Sequence, residues 1–282
     1  MVGKRWTSEG VIRVLRFSGV ALSHVGLVRS DNEDSGFMGP SCMLVADGVG
    51  GAAAGEVASA TTAYVVSATA LSAPESDPVV MLRGAIRLAQ EQVALGVARD
   101  PRRAGMATTL TAVATDGKRF ALAHLGDSRG HLFRDGTLTR ISRDHTWVQR
   151  LVDEGSLAEA DVPYHPWRNV VTRSVNGDPA ENGDVAVLDL VPGDRVLLAS
   201  DGLTDLVDER DIAQILTDHA DDAAVEHLVD AALAAGGRDN VTCLLATVID
   251  GPPVSADGAL LGAVRDPWNI VDAAAVRMPH SA

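Results

Sequence analysis

The sequence predicts an α+β fold, and three observations carry the prediction. Apolar runs of strand length, most of them bounded by Gly, Asp or Asn, dominate the chain. Asp-Gly pairs at 116–117 and 135–136 lie between such runs, the usual chemistry of antiparallel hairpins. Two long helical stretches follow one another early in the chain and do not alternate with strands. The hairpins argue against a doubly wound parallel sheet.

Taken in order, residues 43–46 form a short apolar stretch that stops at Asp47-Gly48. An Ala-rich helix is expected over 55–72. A second helix starts at Asp77-Pro78, an N-cap with proline at the first helical position. It runs to about Arg99, with Val79, Leu82, Ile86, Ala89 and Val93 on one face. Residues 108–115 alternate and are rich in Thr and Val, and 120–125 read as the return strand. A second hairpin joins 131–134 to 137–141. Shorter helices are expected near 147–154, 209–216 and 223–235, with Asp208 capping the middle one. The runs 185–190 and 196–199 are joined through Pro192-Gly193-Asp194, and 241–249 reads as the final strand. From Gly251 the chain turns Gly/Pro/Ala-rich. The expected organisation is one domain over 1–249 with an appended tail over 250–282.

Bulk properties narrow the function. Hydrophobic residues make up 46% of the 282-residue chain, enough for a sizeable core. A net charge of −14 argues against a nucleic-acid binder, whose footprint is basic. Cys42 and Cys243 both sit in apolar runs and read as buried hydrophobes, so neither a disulfide framework nor a zinc site is expected. A membrane helix needs about 20 mostly apolar residues. The nearest candidate, 57–71, is shorter and broken by Ser, Thr and Tyr64, while Arg13 and Arg16 interrupt any signal-like run. A cytoplasmic protein without membrane attachment is expected.

The informative feature is the placing of four aspartates. Asp47, Asp127, Asp201 and Asp239 each stand where an apolar strand starts or ends. One Asp-Gly pair is ordinary turn chemistry. Four strand-terminal carboxylates brought to a single rim would form an oxygen cage suited to hard cations such as Mg²⁺ or Mn²⁺. Spacing alone does not prove that they meet.

Eight blocks then occur in order: GLVRSDNEDS (26–35), ADGVGG (46–51), AGEVAS (54–59), GMATTLTA (105–112), HLGDSRGHLFRDG (124–136), HPWRNVVTRSV (165–175), LLASDGLTD (197–205) and GGRDNVTCLL (236–245). In order and spacing they resemble the motifs of the metal-dependent protein phosphatase family (PPM, type 2C), in particular its bacterial branch. The resemblance covers roughly residues 20–248. It implies a β-sandwich of two antiparallel sheets flanked by helical layers, with two Mn²⁺ or Mg²⁺ ions in a cleft at one end.

The resemblance also implies roles. Asp47 would bridge the two metals and the Gly48 carbonyl would ligate one of them. Asp201 and Asp239 would be direct ligands. Asp34, and more weakly Glu33, would hold metal-bound waters, and Asp127 would bind a third ion. Arg29 would grip the substrate phosphate, where a planar guanidinium meets two oxygens at once. A bridging water made acidic by the metals would attack phosphorus. A flap segment over about 144–177, with His165, would lie beside the site and contact protein substrates. Thr108 and Thr109 read as strand residues near the site.

The chain departs from family patterns at Val49, Ala52 and Ala107, where a His, a His and a Gly are found in many members; the leaving-group acid is thereby unidentified. The cysteine-dependent phosphatases are excluded, because a Cys-x₅-Arg motif would need Arg at 48 or 249, where Gly and Ile stand. The alternative is a pseudophosphatase acting as a regulatory module, which usually lacks a core aspartate or the phosphate arginine; all are present here. The expected partners are phosphorylated proteins, a Ser/Thr kinase or its targets, met by a monomer, with no nucleic acid and no membrane.

Overall fold

The computed structural model describes residues 13–49, 54–253 and 257–276. In chain order its strands and helices are β1 (Val14–His24), β2 (Ser35–Met38), β3 (Cys42–Ala46), β4 (Gly48–Val49), α1 (Gly55–Ser72), α2 (Pro78–Arg99), β5 (Ala107–Thr108), β6 (Leu110–Thr115), β7 (Phe120–Leu125), β8 (Arg129–Arg134), β9 (Thr137–Arg140), α3 (Trp147–Asp153), β10 (Asp184–Leu188), β11 (Arg195–Ala199), α4 (Asp201–Thr204), α5 (Glu209–Asp218), α6 (Asp221–Ala234), β12 (Val241–Gly251) and β13 (Ala259–Gly262).

Local chemistry sets several boundaries. The Asp77 carboxylate accepts from the Val79 and Val80 amides, and Pro78 opens α2 as the sequence predicts. Asp208 caps α5 by accepting from the Asp211 amide. Helix α1 is buried nearly all round, which its small side chains permit. Its hydroxyls return to the helix: Ser67, Thr69 and Ser72 each donate to the carbonyl four residues back at 2.7 Å. The β8–β9 turn places Asp135 at φ 50° and Gly136 at φ 77°, the left-handed pair that a two-residue hairpin turn requires.

The strands form two large antiparallel sheets and one small pair. One sheet has the order β1-β12-β11-β8-β9, the other β10-β7-β6-β3-β2-β13, and β4 pairs with β5. Between the large sheets lies an apolar layer that includes Phe17, Met43, Val45, Phe120, Leu198 and Leu244. Helices α1 and α2 cover the six-stranded sheet through Val66, Leu82, Ile86 and Leu110. Helices α5 and α6 cover the five-stranded sheet through Leu197, Ile212, Leu228 and Leu245. The result is the four-layer sandwich that the resemblance implies.

Three expectations change. β12 is not the last strand, and the segment beyond it is no loose tail: β13 pairs with β2 from Ala259↔Met38 to Gly262↔Ser35, completing an edge of the six-stranded sheet. Composition misled because Leu260, Leu261, Ala263 and Val264 make up the apolar content this edge needs, embedded among Gly and Pro. The runs joined through Pro192-Gly193-Asp194 do not pair with each other. β10 lies in one sheet and β11 in the other, so the turn carries the chain across the sandwich. The sequence reading also passed over β1, which pairs with β12 over its whole length, from Val14↔Gly251 to His24↔Val241.

Candidate active site

The ends of four strands deliver the expected aspartates to one rim. β3 runs out into Asp47, the β7–β8 turn carries Asp127, β11 leads through Ser200 to Asp201 at the start of α4, and Asp239 stands two residues before β12. The β1–β2 loop adds Arg29, Glu33 and Asp34. The carboxylates feel one another: repulsion from Asp34, Asp201, Asp127 and Asp239 all bears on Asp47.

Asp47 is fixed through its backbone. The Asp47 amide donates to Thr109 Oγ1 at 2.9 Å, and its carbonyl accepts from the Thr109 amide and from Thr108 Oγ1. Thr109 Oγ1 also lies 2.7 Å from Ser128 Oγ, tying the Asp47 strand end to the Asp127 turn. Thr108 and Thr109 therefore position the rim. Gly48 packs against the start of α1: a Cβ there would come within 2.6 Å of the Gly55 backbone and 2.8 Å of the Glu33 carbonyl. Only glycine allows that approach.

Asn240, passed over in the sequence, organises the β1–β2 loop. Its side chain donates to the Val25 and Asp31 carbonyls and accepts from the Glu33 amide at 2.7 Å. Ser200 is a second missed residue. Its hydroxyl donates to Asp34 Oδ2 at 2.7 Å and accepts from the Thr242 amide. The remaining signal for both was a polar residue beside a motif aspartate, which ordinary turn chemistry also produces. Arg29 pairs with Asp239 at 2.7 Å, both side chains remaining open to solvent.

Burial and mutual repulsion hold these acids away from their usual range. Asp47 and Asp201 are each pushed well above it, first by burial and then by neighbouring aspartates. Asp34 and Asp127 are both raised to about 6, again chiefly by burial. Glu33 is raised by burial and by Glu56. Asp205 adds to the repulsion at Asp127 and Asp201, a contributor the sequence reading did not assign.

The donor set fits divalent cations. It is all oxygen, as hard cations prefer. Its negative charges disfavour one another, which a cation would offset. Asp34 Oδ1 is buried without a hydrogen-bond partner, an acceptor that a cation-bound water would satisfy. Among the described residues, however, no three Asp, Glu, His or Cys side chains are closed around one point. Asp239 is turned to Arg29.

Beside the rim runs a groove of about 480 Å³, lined by Asp127, Asp201 and Asp205 on one side and by residues of the expected flap, including Val148, Gln149 and Val162, on the other. Bridges Thr146↔Val171 and Thr108↔Val175 pin the flap at its base. At its outer part Tyr164 and Trp167 are exposed, and half-buried His165 packs edge-on against Trp167 at 6.1 Å. Glycines 50 and 51 of the ADGVGG block, and Ala52, lie outside the described residues.

The protein phosphatase 2C model matches residues 19–235, most of the chain. This chain belongs to the protein phosphatase 2C family. It is 40% identical over 254 residues to the Mycobacterium tuberculosis serine/threonine protein phosphatase PstP, covering 90% of this chain and 49% of PstP. It is 31% identical over 231 residues to the Listeria monocytogenes serine/threonine phosphatase stp, covering 78% and 91%. The chain thus spans about half the length of the mycobacterial relative and nearly all of the listerial one. Among solved structures, the PstP catalytic domain in complex with two manganese ions aligns with a TM-score of 0.75 at 40% identity, covering 85% of this chain and all of that one. The Mycobacterium smegmatis PPM phosphatase MsPP, in complex with cacodylate, aligns with a TM-score of 0.73 at 33% identity, covering 82% and 97%. Membership of the phosphatase 2C family and the sandwich fold are in agreement with the sequence reading.

Proposed function

We propose that the chain is a metal-dependent protein phosphatase that hydrolyses phosphoserine and phosphothreonine. The observation that carries this is the meeting of Asp34, Asp47, Asp127, Asp201 and Asp239 at one rim, with Arg29 beside them. The manganese ions of the PstP catalytic domain support the same reading. In it, Asp47, Asp201, Asp239 and the Gly48 carbonyl would hold two Mn²⁺ or Mg²⁺ ions, with Asp34 and Glu33 acting through water and Asp127 available to a third. The ions supply Lewis acidity and positive charge to a reaction whose uncatalysed rate is among the slowest known.

The rest falls to the chain. Arg29 stands at the mouth of the rim with donors free beyond its bond to Asp239, so its guanidinium can bind phosphoryl oxygens in a fork. Hydrolysis adds water to phosphorus and breaks the bond to the Ser or Thr oxygen, which must take up a proton. Val49 cannot supply that proton, so it comes from solvent or from another rim group. The groove between rim and flap suits a peptide, and the exposed aromatic residues at the flap tip suit a protein surface. We place the protein in the cytoplasm as a monomer that reverses a Ser/Thr kinase; among the described residues no helix is long and apolar enough to cross a membrane.

Release of phosphate from a phosphothreonine peptide, measured with Mn²⁺, Mg²⁺ or EDTA, tests the proposal. Turnover with either cation and none in EDTA is expected. Folded protein that is inert with both cations would contradict it.

A further inference from the structure

Residues 259–273 lie beyond the region matched by the family model, which ends at 235, yet they touch the acid rim. The Ala263 amide donates to the Asp34 carbonyl at 2.7 Å. Gly262 has φ +70°, and a Cβ there would overlap that same carbonyl oxygen and crowd Ser23 Oγ. The backbone of the segment therefore sits as close to Asp34 as two chains can come, and only glycine permits it. Ser23 in turn accepts from Asn32 Nδ2 at 2.9 Å and bonds Thr242 Oγ1 at 2.7 Å, so the contact reaches the loop that carries Arg29 and Glu33.

The far half of the segment is anchored to the helices on the outside of the same sheet. The Val271 amide donates to Thr61 Oγ1 and the Val271 carbonyl accepts from Arg99 at 2.7 Å. Tyr64 donates to the Ala273 carbonyl at 3.0 Å, and Asn269 Nδ2 donates back to the Ala263 carbonyl. One end of the segment is thus tied to α1 and α2, and the other presses on Asp34. Asp34 needs such support. Its side chain has one oxygen held by Ser200 and one buried without a partner, so its backbone decides where the free oxygen stands.

We propose that residues 259–273 are a positioning strap for the acid rim, in which Gly262 and Ala263 set the place of Asp34 and thereby the affinity of the rim for divalent cations. Neither residue touches substrate or cation; both act through Asp34. The inference rests on the metal-dependent reading above. It adds that cation affinity in this chain depends on a segment outside the family-matched region.

The test is calorimetric titration of Mn²⁺ into the full chain stripped with EDTA, with melting temperature recorded in parallel. Gly262→Ala crowds the Asp34 carbonyl. Ala263→Pro removes the donating N–H at a first helical position, where proline is tolerated, and displaces the same carbonyl. Val271→Ala and Tyr64→Phe loosen only the far anchor. The first two variants are expected to weaken Mn²⁺ binding about tenfold, the worth of one hydrogen bond. The other two, which act only through the far anchor, are expected to weaken binding clearly less while melting lower. Mn²⁺ binding by Gly262→Ala and Ala263→Pro within twofold of wild type overturns the proposal. So does equal weakening in all four, which would make the segment mere packing. Should both strap variants fail to fold, hydrogen exchange of the wild-type Ala263 amide decides: Mn²⁺ is expected to slow it, and unchanged exchange overturns the idea. Binding is read without turnover, so an inert wild type would sink the phosphatase reading while leaving this one measurable.

Discussion

The acid rim and the strap that braces it are built on opposite principles. At the rim, Asp34, Asp47, Asp127 and Asp201 are packed where burial and mutual repulsion oppose their charge, and Asn32 and Thr109 fix the backbones of Asp34 and Asp47. In the strap the charges are matched: Asp272 pairs with Arg99, which also donates to the Val271 carbonyl, and the rest is held by packing, strand pairing with β2 and a bond to Thr61 of α1. One region stores unfavourable electrostatics that a cation can relieve; the other contributes stability. Substitutions should therefore act in opposite senses on metal-free stability.

The largest effect is expected for Asp47→Asn. Losing a major charge-stabilising group costs roughly 10³-fold in turnover, measurable as phosphate release in Mn²⁺. In EDTA the same variant should melt above wild type, because the neutral amide removes a buried, repelled carboxylate; each kcal/mol recovered is about 2–4 °C in a chain of this size. A lower metal-free melting temperature would break the contrast between the regions.

Arg29→Ala should lose about 10–100-fold in kcat/KM, the scale of hydrogen bonds to a charged group. Arg29→Lys should not restore it, since a point charge lacks the fork. Equal kcat/KM in the alanine variant would remove Arg29 from substrate binding.

Gly48→Ala drives a methyl group into the Gly55 backbone and should cost about 1–3 kcal/mol of stability by overpacking, with α1 shifted away from the rim. Val271→Ala, in the strap, should cost about 1 kcal/mol and leave turnover at saturating Mn²⁺ unchanged. Thermal melts and initial rates on the same samples separate the two cases.

Away from both regions, a pH dependence is expected at His124. Its ring is buried against His145 at 4.9 Å, with Thr111 on Nδ1 and the Arg143 backbone partly offsetting the burial, while Arg140 and Asp184 act from farther off. Burial, then the His145 charge, lowers its pKa to about 3, against about 6.5 in an unfolded chain. The unfolded state then binds more protons between those values, so stability falls as pH drops from about 6.5 toward 3. Chemical denaturation of wild type against His124→Gln should show the variant losing less over that window. Parallel curves would contradict the assignment.

Much of this architecture was legible in the sequence where chemistry and geometry share a residue. Asp77-Pro78 marked the start of α2, Asp135-Gly136 marked a hairpin, and strand-terminal aspartates marked the rim. Convergence was not legible, because alternation shows which face a residue takes and says nothing of which strand ends meet. The family blocks supplied that step. Asn240 and Ser200 were hidden because a polar residue beside an aspartate is commonplace in turns. The strap was misread because its Gly/Pro content resembles a linker, while its role depends on long-range pairing with β2 and on Asp34, more than 200 positions away. The turn at 192–194 was ambiguous for the same reason: a short loop fits a hairpin and a crossing between sheets equally well.

The most direct measurement is Mn²⁺ titration of the metal-stripped protein, wild type against Asp201→Asn. The account expects saturable binding in wild type, a marked loss of affinity in the variant, and phosphatase activity that follows occupancy. Equal Mn²⁺ binding by the two proteins would contradict the claim that this rim is the metal centre.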